Sequence, residues 1–529
     1  MYACLIQPPR LENAGHVTMS PSPPLGLAYI AGALEAAGHD VTAIDCVGEA
    51  PHKYSPFRPF GKPLPEHETL VIRGLNEYDL LERMPEKVDV IGFSCMFAIN
   101  WVSVKYFINF LRAYYPKALF VAGGEHATAA YAYCLQQSAL DVVVLGEGEE
   151  TIVHLLDAYA QGSPLESVSG IAYKSGNSVR TTPKKERIKS LEEIPRPAWH
   201  LFPVKSYQEH RVVWSATIEP SLPMLATRGC PYSCTFCSSP QMWGTRYYMR
   251  SPEDVVDEMM ELNRKFGITN FDFYDLTAII KKDWIIRFCQ CILENNLKIT
   301  WQIPAGTRSE AIDREVAAYL HKTGCRNIVY APETGSIRML RQIKKKVTIT
   351  NMLRSIRDSH RENLNVMLNM ILGLPGETHK DIWKTCWFLV QTSWYGANTI
   401  ALSIFLPYPG SALFRQLSEQ GVINPEHDDY YLNMVYIDTN NRMPWYNKKI
   451  NHKWYIFYLV LYYIFFYGSN FLFRPHRLIK VLWNVATQRF ESRFEVNLRH
   501  YLELKASQAK NLAKMISASI KPPQSRRAA

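Results

Sequence analysis

The chain predicts an α/β protein in three parts: an N-terminal doubly wound parallel sheet of Rossmann-like type, a partial (β/α)6 barrel, and a helical C-terminal region. Three observations predict it. β-rich runs alternate with helical patterns through the N-terminal third, the alternation resumes further on and gives six β/α units, and a late aromatic run, 454–473, carries no charge. At 529 residues the chain is too long for one ordinary domain, and 47% apolar with 20% charged residues is the composition of folded cores.

The first part, 1–160, reads as strands at 3–7 (ACLIQ), 41–45 (VTAID), 88–94 (VDVIGFS), 118–124 (ALFVAGG) and 141–149 (DVVVLGEGE). The small apolar run Leu25–Ala37, stopped by Gly38, is one of the helices between them. Strand and helix in alternation make a parallel sheet covered on both faces, and ligands bind beyond the strands' carboxyl ends. Ser94, then Gly123 and Gly124 ahead of Glu125 and His126, then Gly146, Glu147 and Gly148 fall at those ends. Glycine there admits a ligand close to backbone N–H groups, and it also serves plain tight turns.

Residues 161–223 lose the alternation and gain QGSP, KSGN, RTTPKKER and IPRPAW, which predicts a linker with a small hairpin around Ile171–Tyr173 and Val179. The barrel, 224–415, begins with MLATRG at 224–229 as the strand that delivers a cysteine loop. Ser251 and Pro252 start the next helix, Val255, Met259, Leu262 and Phe266 form its packed stripe, and Gly267 ends it. Further strands are predicted at Asn270–Tyr274, Ile299–Ile303, Asn327–Ala331, Val366–Leu372 and Thr399–Phe405.

Within RGCPYSCTFC, Cys230, Cys234 and Cys237 are spaced for one tight loop to bring their sulfurs to one inorganic centre. Iron–sulfur cubes take four thiolates and zinc sites take four ligands, so three cysteines leave one position open. The CxxxCxxC spacing resembles the signature of radical S-adenosylmethionine (SAM) enzymes. That resemblance implies a [4Fe-4S] cluster on the three cysteines, SAM chelating the open iron, and Phe236 in the usual aromatic position. It offers Asp275 for the SAM amino group, with a helix cap as the alternative. Glu333 in APETGS would meet the methionine or ribose part, and Gln302 and Arg308 point the same way. LGLPGET, 372–378, is read first as a turn with Thr378 capping a helix.

PLGLAYIAGALEAAGHDV at 24–41, GGEHAT at 123–128 and DVVVLGEGE at 141–149 resemble the cobalamin-binding domain found ahead of radical SAM domains. On this resemblance Ser94, Gly123, Gly124, Glu125, His126, Gly146, Glu147 and Gly148 are cobalamin contacts. The DxHxxG motif that supplies a lower cobalt ligand is missing, and His16 is read as a loop residue. The whole is similar to the group that includes class B radical SAM methyltransferases and the anaerobic magnesium-protoporphyrin IX monomethyl ester cyclase. It implies methylation of an unactivated carbon in an apolar or biosynthetic small molecule. The alternatives are a cobalamin-dependent cyclisation or oxidative rearrangement, a tRNA methylthiotransferase for which Cys4, Cys46 and Cys95 are superficially available, and a non-catalytic cofactor sensor. No catalytic acid or base stands out.

The last part, 416–520, is predicted helical, with a basic tail at 521–529. The run 454–473 is long enough to cross a bilayer, but Tyr recurs at 455, 458, 462, 463 and 467, Gly468–Ser469–Asn470 is expected to break it, and both flanks are basic. A buried or substrate-covering helix, membrane-surface contact and a span are all open to it. A lipid or tetrapyrrole substrate, an external one-electron reductant and a cytoplasmic location at the membrane periphery are the matching expectations, with no role for nucleic acid. The net charge of +10, the absence of a signal-peptide pattern and eleven scattered cysteines agree with a reduced compartment.

Overall fold

The computed structural model describes residues 1–14, 21–58, 70–184, 187–210, 220–436 and 444–487, together with 494–495, 498–499 and 502. His16 and the basic tail lie outside the described residues. The first sheet contains β1 (Tyr2–Gln7), β2 (Asp40–Asp45), β3 (Val90–Ser94), β4 (Leu119–Gly123) and β5 (Val142–Val144), followed by β6 (Ile171–Ser175) and β7 (Ser178–Thr182). The spatial order is β7-β6-β5-β4-β3-β1-β2. The first five strands are parallel, and β6 and β7 add an antiparallel hairpin at one edge. This order reverses direction between β1 and β3, the position where doubly wound sheets open a ligand crevice.

Burial on both faces explains the runs of apolar residues. Ala3 and Leu5 enter one core while Cys4 and Ile6 enter the other, as the two-residue period of a strand requires. The predicted linker needs a revised boundary. Its hairpin pairs with β5, so the first domain continues beyond residue 160 and the connecting segment is shorter than 161–223.

The second sheet is six-stranded and parallel, in plain sequence order: β8 (Ser221–Met224), β9 (Asn270–Phe273), β10 (Thr300–Thr307), β11 (Cys325–Glu333), β12 (Asn365–Leu372) and β13 (Thr399–Ile404). β8 and β13 are its edges, so the barrel is partial, as expected. Its first strand lies three residues earlier than the sequence suggests. Thr227–Arg228 leaves the sheet and pairs instead with Tyr248–Met249, which closes a small hairpin around the cysteine loop.

Helices cover the barrel. Ser251 caps Pro252–Phe266 by accepting from the Asp254 N–H, and Gly267 ends it in the left-handed conformation. Thr378 and Asp381 form a reciprocal capping box at the start of His379–Tyr395. The C-terminal helix is not broken at Gly468–Ser469–Asn470. It runs from Tyr455 through a π segment, Ile464–Gly468, to Phe473, and the break falls at Arg474 before Pro475–Thr487. Tyr458, Tyr462, Phe466 and Asn470 bury one side of it.

Candidate active site

The cysteine loop leaves the Thr227–Arg228 hairpin at the mouth of the barrel. Gly229 has φ of 89°, and a Cβ there would stand 2.1 Å from the Arg246 carbonyl oxygen, so only glycine allows the chain to turn into the loop. Cys230, Cys234 and Cys237 are half-buried thiols without disulfides. Their contacts are weak ones: the Cys237 thiol donates to Ser239 Oγ at 3.2 Å, and Cys234 approaches the Lys344 carbonyl at 3.9 Å. Burial pushes all three thiols above their ordinary pKa, while Lys345 and Arg308 favour thiolate at Cys230 and Lys345 does so at Cys234. Soft donors in a partly dry, cation-flanked loop fit a [4Fe-4S] cluster. Among the described residues no three His, Cys, Asp or Glu side chains gather to hold one metal ion. A cube does not ask for that, because each thiolate binds a different iron.

Two cations stand at this loop: Arg308, which the sequence resemblance already offers, and Lys345, which is not legible as a site residue. Lys345 sits in a run of three lysines, yet it is half-buried, donates to Glu333 at 2.7 Å and lies 5.8 Å from the Phe236 ring centre. Burial opposes its charge, but Glu333 and Cys234 outweigh that, and the ammonium is held charged. Arg308 stacks on Tyr232 at 4.2 Å. Glu333 itself is buried at the carboxyl end of β11 with φ of 65°, a strained conformation for a side-chain-bearing residue.

Asp275 has a different task from either one expected of it. It is fully buried and accepts from the Ala226 N–H at 3.1 Å and from the Thr227 hydroxyl. It therefore pins the strand that leads into the cysteine loop. The helix that follows starts only at Lys282, so Asp275 is not its cap. Burial raises its pKa to about 6 against these hydrogen bonds. Gln302 is likewise committed inside the barrel, donating to Asp272 at 2.6 Å and accepting from Asn327 at 3.1 Å. LGLPGET is a covered turn: Trp445 packs at Gly373, and Asn447 donates to the Glu377 carbonyl at 2.9 Å.

At the other edge of the site, Ser94 and Gly123 end neighbouring strands β3 and β4 in register. Gly123 is open, with the nearest atom to a Cβ at 3.9 Å. Gly124 has φ of 118°, and a Cβ would meet the Cys95 carbonyl oxygen at 2.7 Å. Gly146, with φ of 69°, lies beside the Met242 carbonyl of the short helix Ser239–Trp243. These residues form a cradle of half-buried backbone that fits close approach by a corrin and its tail.

The rest of the motif does other work. Glu147 and Glu149 turn inward to Arg228: Arg228–Glu149 is 2.5 Å and Arg228–Glu147 is 3.6 Å, while Arg187 reaches Glu147 at 3.0 Å. Gly148 is small because Ile30 packs against it, 2.8 Å from where a Cβ would be. His126 is also turned away from the cradle. Its ring is buried against Trp101 and Tyr431, with centroids at 5.6 and 5.2 Å, and burial lowers its pKa to about 3. Glu125 accepts a hydrogen bond from Ser238, the residue after the last cysteine. GGEHAT therefore bonds to the end of the cysteine loop, and GEGE to the arginine at its entry.

The comparisons with known proteins agree with this construction. The radical SAM superfamily matches residues 224–389, and the B12-binding domain matches residues 71–156. The chain is a radical SAM enzyme with a B12-binding domain ahead of its barrel, and its cofactors are a [4Fe-4S] cluster, SAM and cobalamin. Within that class it is similar to methyltransferases and to a cyclase. An uncharacterized methyltransferase of Pyrococcus horikoshii is 28% identical over 417 residues, 78% of this chain and 82% of the relative. The cytidylyl-2-hydroxyethylphosphonate methyltransferase of Streptomyces wedmorensis is 28% identical over 77% of this chain and 80% of its own. The anaerobic magnesium-protoporphyrin IX monomethyl ester cyclase of Cereibacter sphaeroides is 27% identical over 78% of this chain and 63% of its own. In fold, the cobalamin-dependent SAM radical enzyme OxsB, solved with aqua-cobalamin and SAM, matches with a TM-score of 0.64 at 14% identity, over 99% of this chain and 82% of that one.

Proposed function

We propose that this enzyme methylates an unactivated carbon of an apolar small molecule. The observation that supports this best is the seam between the two cofactor-binding edges. Ser238 of the cysteine loop bonds to Glu125 beside the glycine cradle, and Arg228 at the loop's entry is held by Glu147 and Glu149. A substrate carbon at that seam faces both edges. When bound, the cluster and SAM supply a radical that removes hydrogen from carbon, and the corrinoid supplies the methyl group.

The chain's own residues do the positioning. Cys230, Cys234 and Cys237 would hold the cluster, with Lys345 and Arg308 offsetting its negative charge. Asp275 fixes the strand that carries the loop. Ser94, Gly123, Gly124 and Gly146 would receive the corrin and its tail, while Glu333, paired with Lys345, borders the SAM side. Tyr430 and Tyr431 are buried behind the cradle, which keeps water from that wall.

The similarity to a tetrapyrrole-ester cyclase and the aromatic C-terminal helices favour a tetrapyrrole or lipid as the substrate class. We place the enzyme in the cytoplasm with 454–473 touching a membrane surface and an external protein supplying electrons one at a time. Anaerobically reconstituted enzyme, given a one-electron reductant, SAM with a deuterated methyl group and a panel of such substrates, tests this. S-adenosylhomocysteine and 5′-deoxyadenosine formed together, with deuterated methyl on the product, support methylation. 5′-deoxyadenosine without S-adenosylhomocysteine supports the cyclase-type alternative, and SAM left intact by fully loaded enzyme removes the catalytic reading.

A further inference from the structure

We infer that the outer face of the helix His379–Tyr395, together with the C-terminal helices, is a docking surface for an anionic lipid bilayer, held at the headgroup level. This rests on the membrane contact proposed above and widens it from one helix to three.

Three tryptophans on one barrel helix face outward. Trp383, Trp387 and Trp394 are 50%, 63% and 61% exposed, although the same helix buries Phe388 and Leu389 on its inner side. The C-terminal helix continues this face. Trp383 meets Phe465 edge-on at 5.8 Å and Trp394 meets Phe473 at 5.0 Å, so the two helices lie side by side. Ile456, Val460, Ile464 and Leu472 form an exposed stripe along it. The helix Pro475–Thr487 adds Ile479 and Trp483, 70% and 65% exposed. An apolar surface of this extent is unusual in contact with water, and tryptophan is the side chain enriched where bilayer meets water.

The opposite stripe excludes a span for this arrangement. Asn470 donates to the Ala397 carbonyl at 2.6 Å, Ser393 donates to the Phe466 carbonyl at 3.0 Å, and Tyr462 and Phe466 are fully buried. Crossing a bilayer would strip the helix from the barrel. Its neighbour is fixed too: Arg474 donates to the Ser393 carbonyl at 2.7 Å and Arg477 to the Ala397 carbonyl at 2.8 Å, capping the end of His379–Tyr395.

Charge selects the partner. Residues 444–487 contain six Lys and Arg and no Asp or Glu, and exposed Lys448, Lys449 and Lys453 lead into the apolar stripe. Lys380 and Lys384 share a cleft with Trp383 and Trp387. After Glu503 the chain carries six further Lys and Arg and no acid. A basic tail or a second copy of this face would meet like charge, whereas anionic headgroups are attracted to it.

The test is co-sedimentation of the full-length, cofactor-loaded enzyme with vesicles of phosphatidylcholine alone or with 30% phosphatidylglycerol, a composition on the order of natural anionic membranes. Binding is expected only to the anionic vesicles. Replacing Lys448, Lys449 and Lys453 by Gln should weaken it roughly 100-fold. A second variant, Trp387→Glu with Trp483→Glu, should abolish binding while SAM cleavage in solution is retained. Anionic-vesicle binding that survives Trp387→Glu and Trp483→Glu would overturn the three-helix face but leave contact through 454–473 standing. Equal binding to both vesicles, or none to either, would overturn the anionic surface as well. The methylation reading is scored separately by the labelled-methyl assay.

Discussion

Gly124 carries a constraint that one added methyl group would expose. Its φ of 118° is closed to ordinary side chains, and a Cβ would be driven against the Cys95 carbonyl. Gly124→Ala is therefore expected to cost about 1–3 kcal/mol in the loop. If the strain falls on the corrin-ready conformation, corrinoid retention drops roughly ten- to hundredfold while cluster absorbance stays. An unchanged corrinoid-to-protein ratio would remove Gly124 from the cradle. Glu377 is a second residue with a measurable signature. Burial raises its pKa to about 8 from an unfolded value near 4.5, so between those values the folded chain holds a proton that the unfolded chain has lost. Its contribution is complete at low pH and is lost as pH rises through about 8. Thermal midpoints measured from pH 5 to 9 should fall less steeply in Glu377→Gln than in the unmodified enzyme; parallel slopes would mean that Glu377 is already ionised.

At the scale of the element, the π segment explains how the C-terminal helix stays attached. Tyr458, Tyr462, Phe466 and Asn470 recur every four residues, whereas an α-helix turns once in 3.6, so a straight helix would rotate this stripe away from the barrel. The wide turn at Ile464–Gly468 takes up the drift. Deleting the exposed Ile464 should restore an α turn and leave both flanks seated. Deleting Leu459, inside the regular part, should rotate everything beyond it by about 100°. The thermal midpoint should fall clearly more for the second deletion, and equal falls would show that the π turn has no role in the register.

Across the whole molecule the two domains are joined at the chemistry. Arg228 stands on the strand that enters the cysteine loop and its partners Glu147 and Glu149 belong to the N-terminal domain, all of them buried. Arg228→Ala would leave two buried carboxylates without this guanidinium. Loss of a buried partner of this kind costs about 3–5 kcal/mol, and here it should also loosen the loop. A lower unfolding midpoint together with reduced iron content after reconstitution is expected. An iron content equal to that of the unmodified enzyme would confine Arg228 to stability.

The order of strands and helices, the parallel sheet ahead of a partial barrel and the spacing of the three cysteines are legible in the chain alone, because those rest on local period, glycine position and spacing. Strand edges were displaced by up to a few residues, as at Ser221–Met224, where pairing with β9 rather than local preference decides the end. The direction of a buried polar side chain was not legible. GEGE looks like one ligand loop in sequence, yet Gly146 borders the cradle, Glu147 and Glu149 clamp Arg228, and Gly148 admits Ile30. Asp275 and His126 were displaced from their expected roles in the same way, and Lys345 was hidden in a charged run. Those assignments depend on which distant backbone or charge can satisfy a buried group, and only the packed tertiary structure brings those partners together.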